Sequence, residues 1–355
     1  MRPQLLLATT AGLTLALWPL AAQTNSAKPG GSASKAAKPY TPPKTPWGDP
    51  DIQGQWPANA NIPMQRPLTL AEKGSLSPEE LSRREEQFRK QAEADNEEFV
   101  TKGTATINPP GYWVEHTKPN AQASLVVDPP DGRTPPLTPD GQKRLKELRG
   151  GLGPGEHFPS VVNSWEDFDI YSRCISRGLL SSMLPTLYNF GNQIVQGPGY
   201  VAIRNEMIHE TRLIPLDGRA HVGPGIRTYI GDSRGQWEGN TLVVETTNFN
   251  GKIGIAGSGP TTDELRIVER FTRTAPDELS YDATISDPGT WTRPWSIHMP
   301  YKLDSSYVVY EYACHEGNYM MQNALKGARE REKTGLDTKV DRDNHERPLT
   351  GPGQQ

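Results

Sequence analysis

The sequence predicts a mainly β protein in which an antiparallel meander forms a barrel or a curled sheet, flanked by an N-terminal helix, a Pro/Gly-rich wrap and a C-terminal helix. Apolar and polar residues alternate throughout 279–286, which is typical of a strand with one buried face. Turn-forming sequences such as 216–219 separate stretches of this kind at short intervals. The 355 residues include 34 Gly and 33 Pro, and this composition favours turns over long helices.

Residues 1–22 have the composition of a cleavable secretory signal. Arg2 supplies a positive charge, the apolar run 5–20 follows, and small residues end the segment. A membrane anchor is the alternative, but the run is short for a span and no basic flank follows it. We therefore expect a periplasmic or secreted protein with no membrane span after cleavage. Residues 23–46 are rich in Ser, Ala, Pro and Lys and are expected to form a disordered linker.

A helix and a Pro/Gly-rich wrap are expected to pack on the core over 47–193. The clearest helix start in the chain is the capping-box sequence Ser77, Pro78 and Glu80. The segment 79–99 then runs without Gly or Pro and has few apolar residues, which predicts a surface helix. In the Pro/Gly-rich stretch 108–159, bulky apolar residues need burial, so an ordered wrap with a short helix over 139–148 is expected.

The core is expected over 194–317. Its predicted strands are 200–214, 225–231, 241–248, 264–273, 279–286, 295–303 and 307–314. A meander of such strands buries its apolar face either by closing into a barrel or by stacking. A C-terminal helix is expected over 318–333, followed by a mobile tail, 334–355.

The two cysteines, Cys174 and Cys314, are predicted to form a disulfide, because an even pair in an exported protein is more often bridged than free. Closing so long a loop restricts the unfolded chain by roughly 5 kcal/mol on the entropic model. A catalytic thiol at Cys314, activated by His315, is the alternative. Neighbouring residues on a strand point to opposite faces, which disfavours it.

Charge and motif content exclude several classes of partner. The chain carries 38 Lys and Arg against 42 Asp and Glu, whereas a nucleic-acid surface requires a clustered basic excess. Histidines and glutamates could assemble a metal site, but no spacing fixes two ligands on one element. The sequence also lacks a nucleophile elbow, a phosphate loop and a dinucleotide fingerprint, so no metal or cofactor is assigned. A small-molecule ligand is the expected partner, and the oligomeric state stays open.

The predicted strand 200–214 carries the first candidate site. One face presents Asn205 and His209, and if it points inward both enter an apolar interior, where polar groups must be paired or must contact a ligand. In the opposite register the interior is lined by charged residues, namely Arg204, Glu206, Glu210 and Arg212. His209 as a satisfied core histidine is a further alternative.

The end of the predicted core carries the second candidate site. On the predicted strand 307–314, Glu311 shares a face with apolar neighbours, an environment suited to general acid or base chemistry. His315 and Glu316 follow at the strand end, where loops commonly carry function. The alternative is an outward-facing Glu311, with His315 and Glu316 closing a helix start.

Three tryptophans, Trp237, Trp291 and Trp295, lie at predicted strand ends. An indole there could stack on a ring-shaped ligand, and alternatively it could plug the end of a barrel.

Three segments resemble those of a large group of exported bacterial proteins. They are YNFGNQIVQ at 188–196, GDSRGQWEGNTLVVET at 231–246 and EYACHEGN at 311–318. The resemblance covers roughly 47–332, and it implies export but no particular activity. A likeness to lipocalin-type barrels is one of meander topology only.

The leading functional hypothesis is a protein that binds a small apolar or ring-shaped molecule in a barrel-like pocket. Its candidate ligand-binding residues are Asn205, Arg212, Trp237, Trp291, Trp295 and Glu316. A hydrolase or lyase acting on a sugar or aromatic substrate is the second hypothesis, with Glu311, His209 and His315 as acid–base residues. An envelope scaffold with a filled interior and an exposed apolar patch is the third.

Overall fold

Two antiparallel sheets form the centre of the protein, in agreement with the mainly β prediction. The computed structural model describes residues 40–70, 72–102, 115, 118–147, 162–186, 188–255 and 257–335. The predicted signal, residues 23–39 of the predicted linker, and residues 336–355 of the predicted tail lie outside this described part. The last residues of the expected linker are within it, and there Thr45 is buried and its N–H donates to Asp49 O at 2.9 Å.

Six strands form the larger sheet and four form the smaller one. The smaller sheet has the order β1-β5-β6-β7, from β1 (Gly54–Gln55), β5 (Asn192–Gly197), β6 (Tyr200–Asn205) and β7 (Thr211–Pro215). The larger sheet has the order β4-β12-β11-β10-β9-β8, from β4 (Val126–Asp128), β8 (Asp232–Glu238), β9 (Thr241–Thr247), β10 (Arg266–Ala275), β11 (Glu278–Ser286) and β12 (Trp295–Lys302). Two short strands, β2 (Ala60–Asn61) and β3 (Lys118–Pro119), pair in parallel. The sheets are curled meanders and do not close into a barrel, so the curled alternative of the prediction is the correct one.

The predicted alternation produces the core of the larger sheet. In β11 the apolar residues face inward, and in β12 the same holds for its alternate positions; the buried residues are Leu279, Tyr281, Ala283, Ile285, Trp295, Ile297, Met299 and Tyr301. The two strands are antiparallel, with Leu279 opposite Tyr301. β7 lies beside β8, and the buried residues of both sheets form one hydrophobic core.

Four helices accompany the sheets in the described residues. They are α1 (Pro78–Lys102), α2 (Pro139–Glu147), α3 (Leu179–Met183) and α4 (Met320–Thr334). The capping box of α1 is present, since the Ser77 N–H donates to Glu80 Oε2 at 2.8 Å and the Glu80 N–H donates to Ser77 Oγ at 3.3 Å. None of the helices within the described part combines the length and the apolar composition that a bilayer-spanning helix requires.

The strand predicted over 200–214 is interrupted, which corrects the sequence analysis. β6 and β7 are separated by the 3-10 turn Met207–His209, in which Ile208 and His209 have φ angles of 60° and 45°. The fully buried positions of β6 are odd-numbered and those of β7 are even-numbered. The turn therefore shifts the alternation by one residue, and neither predicted register holds along the whole segment.

Two other predicted strands are wrong. Residues 225–231 form a loop, and the strand is β8, which follows it directly. Asn248 holds this loop, because its Nδ2 donates to the carbonyl oxygens of Val222, Gly223 and Ile226 at 3.0–3.1 Å. Thr228 adds one isolated bridge to Phe249, so backbone groups of the loop are satisfied without a continuous strand. Residues 307–314 form no strand either, and they are attached to the smaller sheet through side-chain contacts of the site described below.

Candidate functional site

The residues predicted at the end of the core do not form a buried site. Glu311, His315 and Glu316 are all exposed. Because the segment is not a strand, Glu311 lacks the apolar neighbours on which its acid–base role was argued. The structure does not bring these three side chains together with His209, whose Nδ1 lies 3.1 Å from the carbonyl oxygen of Tyr312.

Asn205 and Arg212 face the interior, but both are satisfied by other protein groups. Asn205 Nδ2 donates to Asn192 Oδ1 and to the Ser182 carbonyl oxygen at 3.3 Å. Arg212 makes a bidentate ion pair with Glu269, in which Nη2 lies 2.9 Å from Oε1. These two residues therefore hold the core together, and the predicted ligand contacts are not needed to satisfy them.

Two of the three tryptophans are buried in the core, although the open sheets have no barrel end for them to plug. Trp291 and Trp295 are buried in the core with ring centroids 5.4 Å apart in an edge-to-face arrangement. Trp237 is partly buried against the same core. A cavity of about 20 Å³, lined by residues that include Gly178, Tyr229 and Phe249, has room for roughly one water molecule. This cavity is too small for the ring-shaped ligand of the predicted pocket.

The predicted Cys174–Cys314 disulfide is present, with the two Cα atoms 5.6 Å apart. It joins the segment that precedes α3 to the irregular segment that follows β12. As a result, Tyr171 and Tyr312 meet, and their hydroxyl oxygens are 2.9 Å apart. This contact belongs to a group of side chains that surrounds a buried arginine.

Arg177 lies at the centre of that group. It is only 8% exposed, and among the described residues its guanidinium makes a single hydrogen bond, from Nη1 to Met207 Sδ at 2.9 Å. Its Nε is buried and has no hydrogen-bond partner in the described structure. Burial lowers the pKa of Arg177, and the nearby hydroxyls of three tyrosines oppose this shift. The tyrosines are Tyr171, Tyr188 and Tyr312.

Glu210 contacts the backbone of Arg177 but makes no hydrogen bond to its guanidinium in the described structure. Glu210 accepts a hydrogen bond from Ser176 Oγ at 2.7 Å and one from the backbone N–H of Arg177 at 3.4 Å. Burial raises the pKa of Glu210. Its carboxyl group is therefore engaged with a backbone N–H and a hydroxyl.

We call Arg177 with Tyr171, Tyr188 and Tyr312 the arginine–tyrosine cluster. The three rings are partly exposed, so the cluster reaches solvent through them. Burial is the main cause that raises the pKa of Tyr171 and of Tyr312. Tyr188 adds to both shifts, whereas the hydrogen bond with Tyr171 lowers the pKa of Tyr312 and only partly offsets its burial. These hydroxyls are consequently protonated at neutral pH and are available as hydrogen-bond donors.

A second group of titratable side chains comes from segments next in sequence to those of the cluster, since Glu206 precedes Met207 and Tyr307 precedes Tyr312. Tyr307 Oη lies 2.7 Å from Glu206 Oε2 and 2.9 Å from Glu115 Oε2. Glu206 is 1% exposed and also accepts from Asn189 Nδ2 and from the N–H groups of Gly191 and Tyr310. Burial is the main cause that raises the pKa of Glu115. We call Glu115, Tyr307 and Glu206 the carboxyl–tyrosine group.

Strained backbone surrounds both groups. Positive φ angles occur at five described residues other than glycine, and four of them lie here: Cys174, Asn189, Ile208 and His209. At Gly191 a Cβ would lie 2.5 Å from Tyr307 Cε1 and 2.7 Å from Glu206 Oε2, so no side chain fits. Such strain persists only where surrounding contacts impose it, and it concentrates at binding and catalytic sites.

Sequence reasoning missed Arg177, Tyr171 and Glu115, and it noted Glu206 only as part of an alternative register. A partial signal was present, because the segment 188–196 is one of the three on which the suspected resemblance to exported bacterial proteins rests. Comparisons with protein-family models, with curated proteins and with solved structures find no match for the chain.

Proposed function

We propose that this is an exported binding protein for a small ring-shaped molecule, and that the ligand binds at the arginine–tyrosine cluster. The observation that carries the proposal is three partly exposed tyrosine rings around a buried side chain with unused hydrogen-bonding capacity. Aromatic side chains at such a position offer both ring stacking and a polar tip. Asn205 and Arg212, the polar residues expected in the lumen, are paired with protein groups, and this favours the cluster over the lumen as the proposed site.

A periplasmic or secreted location is part of the same proposal. The disulfide supports it, because disulfides persist in oxidising compartments. The signal-like composition of residues 1–22 and the resemblance to exported bacterial proteins support it as well.

Native mass spectrometry of protein purified from its own cell envelope or medium tests the binding proposal. We expect a small aromatic compound to be retained by the wild type and by the control variant Tyr200→Ala, whose exposed ring is at the first residue of β6, opposite Pro215. We expect Tyr312→Ala to bind at least about tenfold more weakly, because it removes a stacking surface and a hydroxyl donor. Equal retention by both variants would contradict the proposed location of the site.

A hydrolase or lyase is the second candidate, and the carboxyl–tyrosine group favours it over the residues first considered. A half-buried carboxyl whose pKa is raised is suited to act as a general acid. In this hypothesis the acid is Glu115 rather than Glu311. Glu115→Gln should then abolish turnover of a retained aromatic or sugar compound while leaving its binding intact, and unchanged turnover would eliminate the hypothesis.

A further inference from the structure

Resting on the proposed function, we infer that the ligand carries an anionic group, and that the free edge of the Arg177 guanidinium binds it. A ring-shaped carboxylate is the class of compound that this arrangement fits. The inference starts from a comparison of two arginines within the same chain.

Arg212 and Arg177 are equally buried, at 7% and 8% exposure, but their surroundings differ. Arg212 is paired with Glu269 through two hydrogen bonds and also lies near two tyrosines. Arg177 has tyrosines alone, and no carboxylate in the described part of the chain contacts its guanidinium. A guanidinium stays charged in proteins, and a buried charge without a counter-ion is strongly unfavourable. An anion supplied by a ligand would remove that penalty.

The geometry of the guanidinium points to a carboxylate. Nη1 is occupied by Met207 Sδ, whereas Nε has no partner and Nη2 makes no hydrogen bond to the described residues. The Nε–Nη2 edge is therefore free, and its two parallel N–H donors match the two oxygens of a carboxylate.

The tyrosines of the cluster provide the remaining contacts for the proposed ligand. The hydroxyls of Tyr171 and Tyr312 form one hydrogen-bonded pair, and they can turn their protons toward an incoming anion. Because burial raises the pKa of both, they do not compete with the ligand as phenolates. The rings supply the apolar contact that a ring-shaped acid needs beyond its carboxylate.

Calorimetric titration of the full-length protein with two matched pairs of probes tests the inference. The pairs are benzoate with benzamide, and cinnamate with cinnamamide, in which only the anionic group differs. We expect the acids to bind the wild type about 10- to 100-fold more tightly than the amides, which is the range for a hydrogen bond to a charged group. Arg177→Met should erase this preference, and Arg270→Met, at an exposed position on β10, should keep it.

A second variant, Arg177→Lys, keeps the inference testable if Arg177→Met does not fold. Arg177→Lys keeps the positive charge but lacks the two-donor edge, so we expect it to fold and to lose most of the preference for acids. If acids and amides bind the wild type equally, or if both Arg177 variants keep the preference, the inference is wrong and the binding proposal stands. If neither acids nor amides bind the wild type, the inference and the ring-binding proposal are both overturned.

Discussion

At the scale of single residues, the proton count of the carboxyl–tyrosine group constrains its chemistry. The hydroxyl of Tyr307 has one proton but contacts an oxygen of Glu115 and an oxygen of Glu206. Two hydrogen bonds along this chain of three groups require two protons, so one carboxyl must be protonated. Glu206 already accepts three further hydrogen bonds. The additional proton therefore belongs on Glu115, in line with the raised pKa of that carboxyl.

This assignment predicts how stability depends on pH. The folded-state pKa of Glu115 lies above its ordinary value of 4.5, so the folded protein holds a proton that the unfolded chain has lost. The associated stabilisation is complete below pH 4.5 and is lost as the pH rises through the folded-state pKa. Relative to Glu115→Gln, the wild type should lose no more than about 1 kcal/mol of stability over this pH range, since Glu115 is only half-buried and water screens its charge.

Urea unfolding of both proteins over a pH series measures this difference. Glu311→Gln is the matched control, because the carboxyl of Glu311 is exposed. Its free energy of unfolding should run parallel to that of the wild type. Parallel curves for Glu115→Gln would show that folding does not raise the pKa of Glu115, and the proton assignment would then be wrong.

At the scale of elements, a buried ion pair connects the two sheets. Arg212 of β7 and Glu269 of β10 form it, and the Tyr281 hydroxyl donates to Glu269 Oε1 at 3.0 Å. Removing only one charge leaves the other buried and uncompensated, so Glu269→Gln should lower the free energy of unfolding by about 3–5 kcal/mol. Replacing both residues by Met should cost less than this single change, because no buried charge remains.

Urea denaturation of the single and double variants measures how much the Arg212–Glu269 pair contributes to the free energy of unfolding. The exposed ion pair between Arg270 and Glu238 on the same sheet provides a control. There Glu238→Gln should change stability by no more than about 1 kcal/mol. If the double variant is less stable than Glu269→Gln, the unpaired charge of Arg212 is not the main cost of the single change, and this account of the pair is wrong.

The same elements show what the sequence could predict and what it could not. The strands β11 and β12 are predicted correctly from their alternating residues, because a sheet with one buried face imposes a period of two on the sequence. The segment 200–214 alternates nearly as well and contains neither Gly nor Pro before its end, yet it is broken at Ile208. The break follows from the contacts of Glu206 with Asn189 and Tyr307. The alternation of apolar and polar residues along the segment contains no information about such distant contacts.

The candidate site was harder to predict for a related reason. Tyr171, Arg177 and Tyr312 are far apart in sequence and carry no recognisable spacing. What distinguishes Arg177 is the missing partner for a buried charge, and this is a property of the fold rather than of the residue. In contrast, the Cys174–Cys314 disulfide could be predicted, since two cysteines allow one pairing.

At the scale of the whole molecule, that disulfide links stability to the geometry of the site. It closes a sequence separation of 140 residues, which includes β5 to β12. Restricting the unfolded chain over a loop of this length stabilises the fold by about 5 kcal/mol on the entropic model. Cys314 lies two residues from Tyr312, whose carbonyl oxygen contacts His209 and whose hydroxyl contacts Tyr171. The same bond therefore holds the arginine–tyrosine cluster together.

A double variant, Cys174→Ala with Cys314→Ala, should show both consequences at once. We expect its free energy of unfolding to fall by up to about 5 kcal/mol in urea denaturation. Hydrogen exchange should in addition quicken more in the segments 171–178 and 312–318 than in the β10–β11 hairpin, because the segments lose a direct tether and the hairpin keeps its ladder. Wild-type protein treated with dithiothreitol should behave like the double variant. If exchange quickens equally in all three regions, the disulfide stabilises the fold only globally, and it plays no specific part in positioning the tyrosines around Arg177.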